Sequence, residues 1–137
     1  MIDISDIQQL ETFAKEFSQQ VLKGDLIFLK GDLGSGKTTF TQLLLKHLNY
    51  KGRVKSPTYA IYESYPLTRF NLIHMDLYRL SHPEELYYLA IEEILDGNNV
   101  VVIEWPENGL GVLPQATKTL NFEFTNSTKR HLKLQIT

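Results

Sequence analysis

The spacing of apolar residues changes several times along the chain, and each change predicts a new element. From residue 5 to residue 22 the apolar positions recur every third or fourth residue, which is the period of one helix face. We expect Ser5 to cap this helix and Gly24 to end it. The apolar face consists of Ile7, Leu10, Phe13, Ala14, Phe17 and Val21.

Two further helices are predicted from the remaining pattern. Residues 37–48 contain a leucine-rich run that begins inside a glycine-rich loop. Residues 81–97 begin with Ser81 and, three residues later, Glu84, which is the spacing of a capping box. Pro83 falls in the first turn, where a missing N–H costs nothing. This helix is expected to stop at the Asp-Gly pair that ends the segment.

Short apolar runs between these helices predict strands. Residues 26–30 and 99–105 are predicted to be buried strands, and residues 70–76 are predicted to be a strand. Residues 53–66 mix loop and strand signals, and Pro57 is excluded from a central ladder. Near the end, residues 120–124 and 130–136 alternate apolar and polar positions around a polar turn, which predicts an antiparallel hairpin.

The alternation of helices with apolar strands favours an α/β sheet. We therefore expect a three-layer α/β/α fold of the P-loop NTPase type, with a mixed, partly parallel sheet and a C-terminal antiparallel hairpin. The 137 residues suffice for one compact domain, expected to span residues 1–137. We find no repeat, linker or low-complexity tract.

Composition narrows the function only by exclusion. A formal net charge of −2 gives no global attraction to nucleic acid or anionic lipid. The absence of cysteine excludes disulfides and thiolate metal sites and is consistent with a cytoplasmic protein. No apolar run approaches the ~18 residues of a transmembrane helix, and the acidic, polar N-terminus does not resemble a signal peptide.

The glycine-rich loop carries the clearest chemistry. Gly31, four intervening residues, then Gly36, Lys37 and Thr38 match the phosphate-binding P-loop pattern, between a predicted strand and a predicted helix. Glycines let backbone N–H groups approach phosphate oxygens, and the helix N-terminus adds partial positive charge. Lys37 would lie on the β and γ phosphates, and the Thr38 hydroxyl would bind Mg²⁺. The residues predicted to contact the nucleotide in this loop are Leu33, Gly34, Ser35, Gly36, Lys37, Thr38 and Thr39.

Phosphoryl transfer also needs a metal ligand and a group that positions the attacking oxygen. Asp76 and Glu104 each end an apolar strand, and ligands of α/β sheets lie beyond such strand ends. Either acid could face the loop. The alternatives are a turn cap for Asp76 and an exposed strand-end carboxylate for Glu104. Thr58, in a Ser-Pro-Thr-Tyr segment, is either a γ-phosphate sensor or part of an ordinary turn.

Other polar and aromatic residues have plainer interpretations. His74 is expected to be a packed histidine, because no second histidine or acid stands at metal-site spacing. Trp105, the single tryptophan, is expected in the core, although it could stack on a ligand. Arg79 is expected in a surface ion pair with Glu84 or Glu85, the alternative being a phosphate contact.

Taken together in order and spacing, the motifs closely resemble the TsaE (YjeE) family of bacterial P-loop ATPases, which act in tRNA threonylcarbamoyladenosine (t6A) modification. The resemblance runs from the first helix to the Leu-Pro pair at 113–114. The segments that carry it are GDLGSGKTTF, VKSPTY, HMDLYRL followed by PEEL, and VIEWPE. The P-loop alone would not be specific, whereas the combination is.

The resemblance implies an ATP-binding protein that hydrolyses ATP weakly. It implies two partner subunits, which form the heterodimer that transfers threonylcarbamoyl to adenosine 37 of tRNAs that read ANN codons. By position, Thr38 and Glu104 would hold Mg²⁺, Asp76 would be the hydrolytic residue at the γ-phosphate, and Thr58 would be the switch threonine. Tyr78, Arg79 and Trp105 would belong to the site or to its partner-facing wall. The adenine would lie near Ser5 and Thr128.

Two other functions fit the same loop. A small-molecule kinase would need a second substrate pocket and usually an arginine-rich lid, and the sequence shows no arginine cluster. A non-catalytic ATP-binding assembly subunit would use the same residues to bind ATP. A GTPase is disfavoured because the chain has no N-K-x-D motif for reading guanine.

Overall fold

The computed structural model describes residues 2–54, 61–126 and 128–136. Within these residues the helices are α1 (Ile7–Ser18), α2 (Lys37–His47) and α3 (Ile91–Ile94), with 3₁₀ helices at Pro83–Leu89 and Pro106–Gly109. The strands are β1 (Ile2–Asp3), β2 (Leu26–Lys30), β3 (Tyr62–Pro66), β4 (Asn71–Asp76), β5 (Asn99–Glu104), β6 (Lys118–Phe124) and β7 (Arg130–Ile136).

These strands form one mixed sheet in the order β1-β7-β6-β2-β5-β4-β3. The centre is parallel: β2 pairs with both β5 and β6, and β5 pairs with β4. The edges are antiparallel, through the β3–β4, β6–β7 and β1–β7 pairs. The predicted mixed α/β sheet with its C-terminal hairpin is confirmed. The parallel centre brings the carboxyl ends of β2, β4 and β5 to one edge of the sheet.

Apolar side chains cover both faces of the sheet. On one face, α1 and α2 pack through a cluster of rings in which Phe40 contacts Phe13, Phe17 and Phe122 with centroids 5.6–5.9 Å apart. On the other face, a second cluster includes Met75 and Ile103 from the sheet and Leu86, Ile91 and Ile94 from the 3₁₀ and α3 segments. Burying both faces explains why the central strands read as continuous apolar runs.

The first helix begins later and ends earlier than the sequence predicted. Asp6, not Ser5, is the N-cap: its carboxylate accepts a hydrogen bond from the Gln9 N–H at 2.9 Å, and the Gln9 side chain accepts one from the Asp6 N–H at 3.0 Å. The helix ends at Ser18. Gly24 (φ +92°) instead lies in the turn before β2, where its N–H bonds the Asn99 carbonyl at 3.2 Å.

The predicted single helix over 81–97 is wrong in its form. Pro83–Leu89 is a 3₁₀ helix, Ala90 is left-handed (φ +56°), and only Ile91–Ile94 is α-helical. The capping carboxylate belongs to Glu85 rather than Glu84, since Glu85 accepts from the N–H groups of Ser81 and His82 at 2.8 and 2.9 Å. On either side of this left-handed residue, both short segments bury side chains in the same apolar cluster: Leu86 before it, and Ile91 and Ile94 after it.

At the sheet edges, the hairpin pairing runs from Lys118↔Ile136 to Phe124↔Arg130. Strand β1, which the sequence analysis missed, is an edge strand that pairs antiparallel with β7 over only two residue pairs. Strand β3 covers the second half of the ambiguous 53–66 segment, and the expectation for Pro57 lies outside the described residues. No described helix combines the length and apolar character needed to cross a bilayer.

Candidate functional site

The glycine-rich loop joins the carboxyl end of β2 to the N-terminus of α2. Gly34 and Gly36 adopt positive φ angles of +77° and +107°, which other residues adopt only with strain. A side-chain carbon at Gly34 would meet no atom within 4 Å, so it would project into open space. At Gly31 such a carbon would lie 2.6 Å from the Phe122 carbonyl oxygen. The loop therefore needs glycine for its backbone path at Gly34 and Gly36 and for its packing at Gly31.

Lys37 begins α2 and is only 4% exposed. Its ammonium donates to the carbonyl of Gly31 and lies 4.1 Å from the ring centroid of Trp105. Burial lowers the pKa of Lys37, and the negative charges of Glu104 and Asp76 oppose this shift. The site thus holds a poorly hydrated cation beside the loop.

Thr38 and Glu104 meet at the foot of the loop. Glu104 is the last residue of β5 and is 3% exposed. The Thr38 hydroxyl lies 3.1 Å from Oε2 and 3.3 Å from Oε1 of Glu104, close enough to donate a hydrogen bond to either oxygen. The alternative of an exposed strand-end carboxylate is therefore wrong, because Glu104 is buried and contacts Thr38 of the P-loop helix.

Asp76 stands beside Glu104 at the same edge of the sheet. The two residues are register partners on the neighbouring parallel strands β4 and β5. Asp76 is half-buried, and burial raises the pKa of its carboxyl, as does the charge of Glu104 to a smaller extent. The Tyr78 N–H, which donates to Asp76 Oδ1 at 3.0 Å, opposes this rise. Asp76 therefore both caps its turn and faces the loop, so the two predicted alternatives coexist.

His74 is a site residue whose contact the sequence analysis missed. It is 1% exposed, as expected of a packed histidine, but its Nε2 lies 2.6 Å from Glu104 Oε2. The strand pattern carried only part of the signal: His74 and Asp76 are two residues apart and therefore share a face of β4, but the contact with Glu104 also requires the β4–β5 register. Among the described residues no group of three or more His, Asp or Glu side chains is arranged to hold a metal by itself.

The P-loop, Asp76 and Glu104 line a cleft of about 340 Å³ above the carboxyl ends of the strands, and His74 lies outside its lining. The described lining consists of Leu33, Gly34, Gly36, Lys37, Thr38, Thr39, Asp76, Glu104, Trp105 and Arg130. Ser35 is not part of this lining; its hydroxyl is buried, with no hydrogen-bond partner among the described residues. The sequence analysis did not predict Arg130, at the start of β7, as a cleft residue. It reaches the cleft through the pairing of β6 with β7, and no sequence motif marks it.

Ser5 and Thr128, the two residues expected near the adenine, are not part of the cleft lining. The Ser5 hydroxyl accepts a hydrogen bond from the Arg130 N–H at 3.0 Å. Thr128 lies in the β6–β7 turn, where its N–H and hydroxyl bond the Asn126 side chain at 2.9 and 3.0 Å. Thr58 lies outside the described residues.

Trp105 lines one wall of the cleft and also packs against the apolar cluster on the second face of the sheet, so both predicted positions hold in part. It is partly buried, has a left-handed backbone (φ +58°), and packs against the exposed ring of Tyr78 with centroids 5.1 Å apart. Arg79 is exposed, and within the described part of the chain no ion pair joins it to Glu84 or Glu85. The expected Arg79 ion pair is therefore absent there.

The chemistry of this cleft fits a phosphate chain and a hard divalent cation. Gly34 and Gly36 line the cleft with backbone alone, and backbone N–H groups at a helix N-terminus suit anionic oxygens. The hydroxyl of Thr38 and the carboxylate of Glu104 are oxygen donors of the type that Mg²⁺ prefers. The cation would need further ligands from the phosphates and water, since the described side chains supply few.

Comparisons with known proteins show which family this chain belongs to. A family model described as "Threonylcarbamoyl adenosine biosynthesis protein TsaE" matches residues 4–132. The tRNA threonylcarbamoyladenosine biosynthesis protein TsaE of Haemophilus influenzae is 37% identical over 131 residues, covering 92% of this chain and 83% of that protein. The protein of the same name from Rickettsia prowazekii is 36% identical, covering 95% and 90%.

A solved structure points the same way. YdiB of Bacillus subtilis superposes with a TM-score of 0.77 at 26% identity, covering 96% of this chain and 80% of that one. The resemblance found in the sequence motifs is confirmed, and the chain belongs to the TsaE family of threonylcarbamoyladenosine biosynthesis proteins.

Proposed function

We propose that this chain binds ATP with Mg²⁺ in the cleft and hydrolyses it slowly, as the ATPase subunit of tRNA t6A biosynthesis. The observation that carries the proposal is the contact of Thr38 with Glu104 at the foot of the P-loop. A P-loop hydroxyl beside a strand-end carboxylate is the ligand pair with which P-loop NTPases hold their metal. The family and its relatives, named for t6A biosynthesis, supply the pathway.

The P-loop would bind the phosphate chain through its backbone. The residues proposed for this contact are Leu33, Gly34, Ser35, Gly36, Thr38 and Thr39. Lys37 would leave the Gly31 carbonyl for the β and γ phosphates, since a cation gains more from anionic oxygens than from a neutral carbonyl. Thr38 and Glu104 would hold Mg²⁺, and the bound cation would neutralise part of the negative charge on the phosphate oxygens.

Asp76 is proposed as the hydrolytic residue. It lies beside Glu104 on the neighbouring strand and lines the same cleft as the P-loop. Its half-buried carboxylate, whose Oδ1 accepts a hydrogen bond from the Tyr78 N–H, would accept a proton from an attacking water or orient that water. Thr58 is proposed as the switch threonine, on the family resemblance alone. Ser5 and Thr128 are proposed on the adenine side; the Ser5 hydroxyl accepts a hydrogen bond from Arg130, which lines the cleft.

The proposed setting follows the family. The chain would act as a single cytoplasmic domain with the two subunits of the transferase, which modifies adenosine 37 of ANN-decoding tRNAs. Direct tRNA binding is not part of the proposal, because a net charge of −2 offers no phosphate-tracking surface.

The test is phosphate release from ATP, measured with the chain alone and with the two transferase subunits, while t6A formation on tRNA is followed in parallel. We expect slow release alone, faster release with the partners, and multiple rounds of tRNA modification that depend on ATP turnover. An Asp76→Asn chain should bind ATP without supporting those rounds. If ATP binding supports repeated modification without any phosphate release, the chain is a non-catalytic assembly subunit instead.

A further inference from the structure

His74 and Glu104 form a buried contact that no proposed step yet uses. In the β4–β5 register His74 lies opposite Val102, and Asp76 lies opposite Glu104. His74 therefore lies on the same face of the sheet as Asp76, two residues earlier in β4 and farther from the cleft. Its imidazole reaches up to the Glu104 carboxylate, with 2.6 Å between Nε2 and Oε2.

The imidazole is held at one end only. Within the described residues its Nδ1 is buried and has no hydrogen-bond partner. Because a carboxylate oxygen accepts, Nε2 is the donor in the pair. Buried polar groups are usually paired at every available atom. Because Nδ1 has no partner among the described residues, the hydrogen bond from Nε2 to Glu104 is the polar contact that positions His74, which is not part of a wider hydrogen-bond network there.

The two oxygens of Glu104 consequently differ in their environment. Oε2 is engaged by His74 from the interior and lies 3.1 Å from the Thr38 hydroxyl. The hydrogen bonds within the described residues leave Oε1 only the Thr38 hydroxyl, at 3.3 Å. The less engaged oxygen is the one available to a further ligand at the foot of the P-loop.

We propose that His74 is a positioning residue for the metal: its Nε2–H fixes the Glu104 carboxylate so that Oε1 stays directed at the Mg²⁺ position beside Thr38. The inference rests on the proposed Mg²⁺ site of the preceding section and adds the residue that orients its carboxylate. Outer-shell hydrogen bonds of this kind set the orientation of metal ligands, and their removal typically weakens metal affinity by roughly 10- to 100-fold.

The test compares two amides of similar polarity. The amide N–H donor of Gln at position 74 would lie near the present position of Nε2. The side chain of Asn is about one bond shorter, so its N–H donor would lie near Nδ1 and would not reach Glu104. For each variant the Mg²⁺ concentration that gives half-maximal ATP binding is measured by calorimetry, so that the readout does not depend on hydrolysis. ATP binding without Mg²⁺ is measured alongside.

We expect His74→Gln to keep the wild-type Mg²⁺ requirement and His74→Asn to raise it by about 10-fold or more. ATP binding without Mg²⁺ should be the same in all chains. Leu72→Val, a buried change on the same face of the same strand, is the control for general loosening of β4 and should leave the Mg²⁺ requirement unchanged. His74→Leu, which lacks a donor without adding an unpaired amide, replaces His74→Asn if the latter does not fold.

Each outcome decides the matter. Equal Mg²⁺ requirements for His74→Asn and His74→Gln, or an equal shift in Leu72→Val, would show that His74 is only a packing residue. A shift that persists when Glu104 is already Gln would show that His74 acts through another group. If wild-type ATP binding does not depend on Mg²⁺ at all, the proposed metal site fails and the inference fails with it.

Discussion

Replacing Lys37 with methionine separates ATP binding from folding. Methionine has a similar length and no charge, and its thioether can rest on the Trp105 ring that the ammonium now faces at 4.1 Å. The change therefore keeps most of the packing and removes only the cation from the phosphate cradle.

The expected loss of affinity follows from the contact that the cation would make. A hydrogen bond that involves a charged group is worth about 1.5–3 kcal/mol, and about 1.4 kcal/mol corresponds to a tenfold change in affinity. We therefore expect Lys37→Met to weaken ATP binding by roughly 10- to 100-fold. A buried phosphate contact with more than one oxygen would place the result at the upper end.

The fold should tolerate this change. Burial lowers the pKa of Lys37, which means that the charged form is less favoured in the folded chain than in the unfolded one. Removing the charge removes that penalty. It also removes the hydrogen bond to the Gly31 carbonyl and a cation–π contact worth about 0.5–2 kcal/mol. These opposing effects leave the free energy of unfolding near or above that of the wild type.

The assay is calorimetric titration with ATP and Mg²⁺, with denaturant unfolding on the same samples. Lys46→Met is the matched control: Lys46 lies on the same helix but is exposed and pairs with Glu11 at 2.6 Å. The control should bind ATP as the wild type does. Wild-type affinity in Lys37→Met, or an equal loss in Lys46→Met, would refute the assignment of Lys37 to the phosphate site.

Two further predictions concern stability. Burial raises the pKa of Asp76 above its ordinary value of 3.8, so ionisation of this carboxyl lowers the stability of the folded chain. The stability of Asp76→Asn relative to wild type should therefore increase as pH rises above about 4, and the difference should become constant once Asp76 is fully ionised in the folded wild type. Denaturant unfolding of both chains from pH 3 to 8 checks this, and a difference that does not change with pH would contradict it. Trp105 has a left-handed backbone (φ +58°), which glycine adopts without the strain that alanine incurs. Trp105→Gly should therefore be more stable to unfolding than Trp105→Ala by roughly 1 kcal/mol, although glycine is usually the more destabilising of the two. An alanine variant at least as stable as the glycine variant would show that the position carries no backbone strain.

Much of this fold was predictable because its signals are local. The P-loop places three glycines between an apolar strand and a leucine-rich helix, and both elements formed at nearly the expected bounds. Alternation in the last two strands predicted the hairpin for the same reason. The 81–97 segment failed because its helical period is also satisfied by a 3₁₀ turn and a short α turn, and only packing on the sheet selects between them.

The site was predictable only in part. Asp76 and Glu104 could be found because each ends an apolar run, and strand ends are where ligands bind in such sheets. Their adjacency, and the contact of His74 with Glu104, depend on the β4–β5 register, which the chain does not encode locally. Arg130 lies about 90 residues after the start of the P-loop helix, and the pairing of β6 with β7 brings it to the cleft. No local sequence motif could therefore predict its position in the site.

The central claim is a division of labour between Glu104, which holds Mg²⁺, and Asp76, which acts on the attacking water. The direct test is steady-state phosphate release across a Mg²⁺ titration, at saturating ATP and with the partner subunits present, for wild type, Glu104→Gln and Asp76→Asn. We predict that Glu104→Gln recovers activity as Mg²⁺ is raised, because a neutral amide is only a weaker ligand for a hard cation. Asp76→Asn should remain about 100-fold or more below wild type at every Mg²⁺ concentration, because its defect lies in the chemical step. Recovery of Asp76→Asn by Mg²⁺ while Glu104→Gln stays inactive would reverse the two roles, and normal release by both would contradict the account.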